Sequence, residues 1–225
     1  CVIAARDERR GETVKAVVVS GAGEHFCSGL DLSELVQRDI HAAILHSLMW
    51  HAAFDDIQFG PVPVIAVLHG AVVGGGLEIA AACQLRVAED SAYFGLPEGQ
   101  RGIFVGGGGT VRIQRVVGTT VMMDMMLTGR LLNAAEGLQE KVIRYVTPAG
   151  EALAKAKELA HRIAKNSVET NWMIINVLPR IHDMTHDDGL FVEQLNSARA
   201  RPPEAEARLR EFVDGKAKKI QDNQS

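Results

Sequence analysis

The feature that most constrains this 225-residue chain is the apolar run from Val62 to Leu85. Its length exceeds the roughly 20 residues of a membrane-spanning helix. Pro63, His69, Glu78 and four glycines interrupt it, however, and an ionisable group in a bilayer is costly. A buried strand, a glycine turn and a buried helix account for the run without that cost. Pro61 to His69 reads as the strand, closed by Gly70, and Gly74-Gly75-Gly76 opens a helix from Leu77 to Cys83.

The flanking text fits the same plan. Val14 to Ser20 is a β-rich segment ending in Gly21-Ala22-Gly23, and Leu85–Ala88 and Ala92–Leu96 read as short strands. Asp31 or Ser33 is expected to cap a helix with Leu35, Val36 and Ile40 on one face. Asp39 to Ile57 continues helically, carrying Ile44, Leu45, Leu48 and Trp50. A further helix is expected near Thr110–Val117. Helical spacing also runs through Met122–Leu127, Ala149–Lys165, Val168–Ile181, Gly189–Ala198 and Pro203–Phe212. Strands early and helices late imply an α/β core over 1–145 and a helical C-terminal region over 146–225.

Hydrophobic residues at 47% and charged residues at 23% supply enough apolar surface for a packed core. A net charge of −4 argues against nucleic acid as the main partner, because phosphate neutralisation needs a basic surface. Cys1, Cys27 and Cys83 are odd in number and far apart, which matches neither a disulfide framework nor a zinc spacing. A cytoplasmic, reducing compartment and no membrane partner follow as expectations.

Glu78 sits in a helix that is otherwise apolar all round, Gly75 to Cys83. Such a helix is usually buried, and a buried carboxylate is hard to ionise unless hydrogen bonds or a cation hold its charge. Two readings are open: a functional acid or base, or a structural ion pair with Arg86 or Arg112. Glu98 follows Leu96-Pro97 where a short strand gives way to a glycine-rich loop; alone it is an ordinary loop acid, but with Glu78 it could form a two-carboxylate acid/base site. The glycine triplet can serve a tight turn, an exposed set of helix-terminal N–H groups, or both.

Other patterns carry less. Gly21-Ala22-Gly23 lacks the third glycine of a dinucleotide fingerprint, and Gly106 to Gly109 is followed by Thr110-Val111 without a P-loop lysine. His182 and His186 have metal-like spacing but lie in a polar, helix-end context. Met122, Met123, Met125 and Met126 read as adaptable packing. No metal site is expected.

Taken in order, four blocks resemble the crotonase superfamily, the enoyl-CoA hydratase/isomerase family. They are Phe26-Cys27-Ser28-Gly29-Leu30-Asp31-Leu32, then Pro63–Gly70 leading into Gly74-Gly75-Gly76-Leu77-Glu78, then Phe94-Gly95-Leu96-Pro97-Glu98 with Gly102, then Gly107-Gly108-Gly109-Thr110. Leu127-Thr128-Gly129-Arg130 and Ala134-Ala135-Glu136 fit the helix pair that follows. The resemblance spans about Val14 to Lys165 and implies a spiral of ββα units with a helical C-terminal trimerisation region, in homotrimers or hexamers. It implies an acyl-CoA thioester as substrate and no cofactor, CoA being part of that substrate.

The same resemblance places an oxyanion hole on the backbone N–H groups of Leu30 and Gly75, and catalysis on Glu78 and Glu98. It assigns substrate contacts to Ser28, Asp31, Leu32, Ser33, Gly74, Gly76, Pro97, Val105 and Gly106. With both glutamates present, hydration of a 2-enoyl-CoA is the expected reaction: water adds to C3 with Glu78 as base, and C2 is protonated from the Glu98 side. Other acyl-CoA enolate chemistry (double-bond isomerisation, dehydration, thioester hydrolysis) and a non-catalytic binding role are the alternatives. The chain departs from the family's habit at Val105, where proline is usual, and at Gly99, where an aliphatic residue is common. It opens on Cys1, where the family has an earlier strand pair and a CoA-holding loop. Lys216, Lys218 and Lys219 read either as contacts to a neighbouring copy's CoA phosphates or as a solvated tail, and Trp50 and His51 as acyl-pocket lining or as helix packing.

Overall fold

The computed structural model describes residues 14–34, 39–199 and 203–216. Its strands are β1 (Val17–Ser20), β2 (Val64–Leu68), β3 (Ala71–Val73), β4 (Leu85–Glu89), β5 (Tyr93–Gly95), β6 (Leu132–Asn133) and β7 (Tyr145–Thr147). β1, β2, β4 and β7 form a parallel sheet in that order, and β3, β5 and β6 form a second sheet in which only β6 runs antiparallel. The helices are α1 (Ile40–Gln58), α2 (Gly75–Ala82), α3 (Gly109–Val117), α4 (Thr119–Thr128), α5 (Ala134–Gln139), α6 (Ala152–Ile163), α7 (Val168–Asn176), α8 (Leu178–Ile181), α9 (His186–Arg199) and α10 (Pro203–Val213).

The chain divides into two compact units, Cys1–Ala164 and Lys165–Ser225. In the first, β2 is buried at all five positions. Val64, Ala66 and Leu68 enter the main core with Leu77 and Ala80 of α2, whereas Ile65 and Val67 pack with Ala152, Ala156 and Leu159 of α6. Burial on both faces is why the strand reads as a continuous apolar run rather than an alternation. Helix α6 thus belongs to this unit.

The second unit holds α7 to α10. Ser167 caps α7, its side chain accepting the Thr170 N–H at 3.0 Å. A single helix expected over Val168–Ile181 is instead two, α7 and α8, with Pro179 in the first turn of α8. Proline has no N–H for the preceding turn and its ring crowds that turn's carbonyl, so the helix restarts there.

A second difference lies after Asp31. Where a helix is expected, the described residues form a 3-10 turn, Leu32–Glu34, and Asp31 Oδ1 accepts the Ser33 N–H at 2.9 Å. Such a local side-chain bond competes with helix continuation. The real helix, α1, begins at Ile40, where Asp39 accepts the Ala42 N–H at 2.7 Å. Leu35 and Val36 lie outside the described residues. Among those described, no helix is long and apolar enough to cross a membrane.

Three short segments are laid side by side by backbone bonds. Phe26 N–H donates to His69 O (2.9 Å), Cys27 N–H to Ala71 O (3.1 Å) and Val73 N–H to Cys27 O (3.1 Å). On the other side Gly74 N–H donates to Gly95 O at 2.9 Å. The blocks around Leu30, Gly75 and Glu98, distant in sequence, are thereby brought to one place.

Candidate active site

A cavity of about 220 Å³ opens where these segments meet α1. Ser28 to Leu30, Leu32, Gly74, Gly75, Glu78 and Glu98 line one side; Ala43, His46, Ser47 and Trp50 of α1 line another. Arg101, Ile103 and Phe104 stand at its edge, with Val105 to Gly107 beyond them.

The backbone at the head of α2 is unusual. Gly74, the cap residue, has φ 55°, a conformation in which a side chain is strained. The following N–H, that of Gly75, has no partner among the described residues, and neither has that of Leu30. The two are neighbours: a Cβ built on Gly75 would lie 3.7 Å from Leu30 N, and one built on Gly29 3.5 Å from Gly75 N. Two convergent N–H groups at a helix N-terminus are suited to an oxygen that gains negative charge.

Glu78, one turn into α2, is 4% exposed. Its Oε1 accepts N–H bonds from Gly107 (2.7 Å) and Gly109 (2.8 Å). Burial raises its pKa above the ordinary carboxylate value, while the N–H groups of Gly109 and Gly107, then the charges of Arg112 and His51, oppose that rise. The loop can wrap the carboxylate only because its residues lack side chains: a Cβ on Gly107 would stand 2.9 Å from Glu78 Oε2, and one on Gly109 2.9 Å from Glu78 Cγ. This gives the glycine run that fails as a P-loop a role in the fold.

Neither arginine considered as an ion-pair partner bonds Glu78. Arg112 is buried and donates to Gly107 O (3.1 Å), Gln58 Oε1 (2.6 Å) and Asp55 Oδ1 (2.6 Å), so it holds the loop from behind. Arg86 donates to the carbonyls of Val142 (2.5 Å) and Cys83 (2.6 Å). Ser47 Oγ adds a 2.6 Å bond to Gly106 O, fixing the loop to α1.

Glu98 is 7% exposed and differs in kind. Its Oε2 is buried without a hydrogen-bond partner among the described residues. Burial raises its pKa; its own backbone N–H and the Arg101 cation pull the other way, while the charge of Glu78 pushes it further up. That repulsion acts across the cavity both carboxylates line. One carboxylate is thus held by two loop N–H donors, and the other leaves an oxygen without a partner among the described residues.

The structure brings Glu78, Glu98, Leu30, Gly75, Ser28, Leu32, Gly74, Val105 and Gly106 to one cavity. Four of the expected substrate contacts do not line it. Gly76 faces the backbone of Cys27, its would-be Cβ only 2.1 Å from that carbonyl oxygen. Asp31 and Ser33 are exposed and bonded to each other, which holds the Asp31 pKa below the ordinary value. Pro97 is half-buried at the bend before Glu98. His46, Ser47 and Arg101 were not singled out by the sequence; His51 lies beside the glycine loop, with Nε2 3.4 Å from Ser47 Oγ. The sequence signal of the three on α1 is their spacing as polar residues among apolar ones, whereas Arg101 sits in the 3-10 turn after Glu98 with none. Lys216 is exposed, Lys218 and Lys219 lie outside the described residues, and His182 and His186 are exposed. Among the described residues no group of three or more potential ligands could hold a metal.

Known proteins share the sequence pattern and the fold of this chain. The family model described as enoyl-CoA hydratase/isomerase matches residues 1–199. A crystal structure of a candidate enoyl-CoA hydratase from Rhodopseudomonas palustris CGA009 superposes with a TM-score of 0.86 at 51% identity, covering 90% of this chain and 79% of that one. The enoyl-CoA hydratase of Bacillus anthracis gives 0.83 at 28%, covering 89% and 79%. The "Probable enoyl-CoA hydratase echA8" of Mycobacterium bovis is 30% identical over 91% of this chain and 79% of its own length. The chain spans about a fifth (21%) of the fatty acid oxidation complex subunit alpha of Shewanella frigidimarina, at 39% identity over 65% of this chain.

Proposed function

The chain belongs to the enoyl-CoA hydratase/isomerase family, whose model matches residues 1–199, and from that premise we propose that it adds water across the C2=C3 bond of a 2-enoyl-CoA thioester. The observation that carries the reading is the unequal support of two carboxylates lining one cavity. Glu78 accepts two N–H bonds, which favour its ionised form; Glu98 leaves Oε2 unpaired, which favours a retained proton.

The thioester oxygen sits between the N–H groups of Leu30 and Gly75, which take up the charge that develops as C3 is attacked. Glu78 removes a proton from water as its oxygen bonds to C3, and Glu98 delivers a proton to C2. Passage of a proton from Glu78 to Glu98 restores both groups. All atoms come from water and the enoyl thioester, so the reaction as written uses no cofactor beyond the CoA carried by the substrate.

We also propose that the chain works as a homotrimer or hexamer. Ile40, Ile44, Leu45, Leu48 and Met49 of α1, and Leu190, Phe191, Leu195, Leu209 and Phe212 of α9 and α10, are exposed apolar side chains of the kind that mark contact surfaces. The free thiols Cys27 and Cys83 suit the cytoplasmic compartment we propose for it.

The test is hydration of crotonyl-CoA and longer enoyl-CoAs, followed by loss of the conjugated thioester absorbance, with product analysis. Glu78→Gln and Glu98→Gln should each lower kcat by about 100- to 10,000-fold, the usual worth of a positioned acid or base. A folded protein that binds CoA thioesters yet shifts the double bond or releases free CoA, without forming a 3-hydroxyacyl product, would give the assignment to the isomerase or hydrolase alternative.

A further inference from the structure

The cavity contains a polar pair that the proposed hydration leaves unused. On α1 the Trp50 indole N–H donates to His46 Nε2 at 3.0 Å. The other edge of the indole covers the head of α2: a Cβ on Gly75 would lie 2.9 and 3.0 Å from its outer ring carbons. Phe54 meets the same indole edge-on, with ring centroids 5.2 Å apart. Trp50 is therefore fixed beside the Leu30 and Gly75 N–H groups at one edge and by His46 at the other. His46 thus lies across the width of the indole from Gly75, within the same cavity.

An indole nitrogen can only donate, so His46 Nε2 is the accepting nitrogen and the ring proton resides on Nδ1. That Nδ1–H has no acceptor among the described residues, although His46 lines the cavity. Arg101 adds a second unpaired donor at the rim; it enters no ion pair among the described residues. A hydrocarbon tail packed here would cover a donor without satisfying it, whereas an acceptor oxygen on the tail would complete the pair.

We propose that His46 selects the acyl group, its Nδ1–H donating to an oxygen carried on the acyl chain beyond the double bond. The preferred ligand is then an oxygenated acyl-CoA rather than its plain hydrocarbon counterpart. This rests on the acyl-CoA reading above and adds a specificity-determining residue to it. A fully buried site built to hydrogen-bond a substrate group can reject the analogue lacking it by about 10,000-fold or more; His46 is only half-buried, where water substitutes, so about tenfold is expected.

The test compares matched saturated acyl-CoA thioesters, with and without a terminal hydroxyl or carboxylate, by calorimetric binding, beside the kcat and KM of the corresponding 2-enoyl thioesters. Wild type should bind at least one oxygenated partner about tenfold more tightly, and His46→Leu should erase that ratio. His46→Gln, which keeps an acceptor for Trp50 and a donor, should retain most of it. Arg101→Gln should reduce the preference for the carboxylate alone, which separates the two oxygen sources. Equal binding of plain and oxygenated thioesters by wild type overturns the assignment, even if His46→Leu fails to fold. So does an unchanged ratio in a folded His46→Leu. A wild type that shows the preference but hydrates none of the thioesters sinks the hydratase reading and leaves this one standing; no binding of any acyl-CoA removes both.

Discussion

Helices α1 and α2 both carry long apolar stretches, α1 interrupted by His46, Ser47, His51, Asp55 and Asp56 and α2 only by Glu78, yet the fold treats them in opposite ways. α2 is buried at six of its eight residues, and its one charged side chain is the best-supported carboxylate in the cavity. α1 buries only Phe54 and Ile57 of its 19 residues. It lends His46, Ser47 and Trp50 to the cavity and leaves Ile40, Ile44, Leu45, Leu48 and Met49 in the open. The helix that is apolar all round is thus a core element, and the one with polar residues among its apolar ones is a pocket wall with a surface left over for a partner.

The contrast breaks most sharply at the glycines. Gly76→Ala places a Cβ 2.1 Å from the Cys27 carbonyl oxygen, and backbone cannot move aside as a side chain can. It should destabilise the protein by about 3 kcal/mol or more, read by denaturant unfolding. The same bond network positions Leu30 against Gly75, so activity should fall with it. Leu45→Ala on the open face of α1 should change the stability of the isolated chain by no more than about 0.5 kcal/mol. Equal costs at the two sites would show that α1 is as firmly packed as α2.

The assembly face gives the next largest effect. Leu48→Glu introduces a charge on exposed apolar surface without touching the cavity lining. If a second copy covers this face, light scattering should show the mass fall towards that of the 24.3 kDa chain, since an unpaired charge in an apolar interface is costly. A variant that keeps the wild-type mass would leave α1 free of the interface.

These differences mark what the sequence could tell. β2 and α2 were legible because burial on all sides leaves an unbroken apolar run, and Glu78 because a carboxylate inside such a run is conspicuous. Glu98 and the N–H groups at the glycine triplet were legible only as possibilities, and Leu30 only through order and spacing shared with a family, since it lies in a short, locally unremarkable loop. β3 was absorbed into the apolar run before it, having only three residues. The roles of Arg112 and Ser47 were not legible at all: both act on carbonyls of the 106–109 loop, and a backbone acceptor leaves no trace in residue type.

The pH profile sharpens the comparison within the cavity. In the proposed hydration Glu78, as base, must be ionised, so kcat/KM should fall as pH drops through its raised pKa, above the range of an exposed carboxylate. As acid, Glu98 must hold a proton, so activity should also fall as pH rises through its own raised value. The carboxylates repel one another, so the two limbs belong to the pair. Glu78→Gln removes that repulsion and should lower the Glu98 pKa, measurable by NMR titration of the carboxyl. A Glu98 titration unmoved by the substitution would show that the two do not share one site.

The smallest effect is on stability and comes from the same asymmetry. A pKa raised in the folded state means the folded form binds the proton more tightly than the unfolded one. Its stabilising contribution is complete below the ordinary carboxylate pKa and is lost as pH rises through the folded value. At neutral pH Glu98 therefore weakens the fold, with Oε2 buried and unpaired. Glu98→Gln should raise the Tm at neutral pH by about 2–4 °C, the shift that about 1 kcal/mol gives in a chain of this size. Acidification should shrink the difference as wild-type Glu98 takes up its proton. Glu78→Gln should gain less, because the N–H groups of Gly107 and Gly109 already stabilise the charge that the substitution removes. Thermal scans of both variants across the acid range would decide it: a larger gain from Glu78→Gln would mean that the glycine loop does not support its carboxylate, and that the acid and base are the other way round.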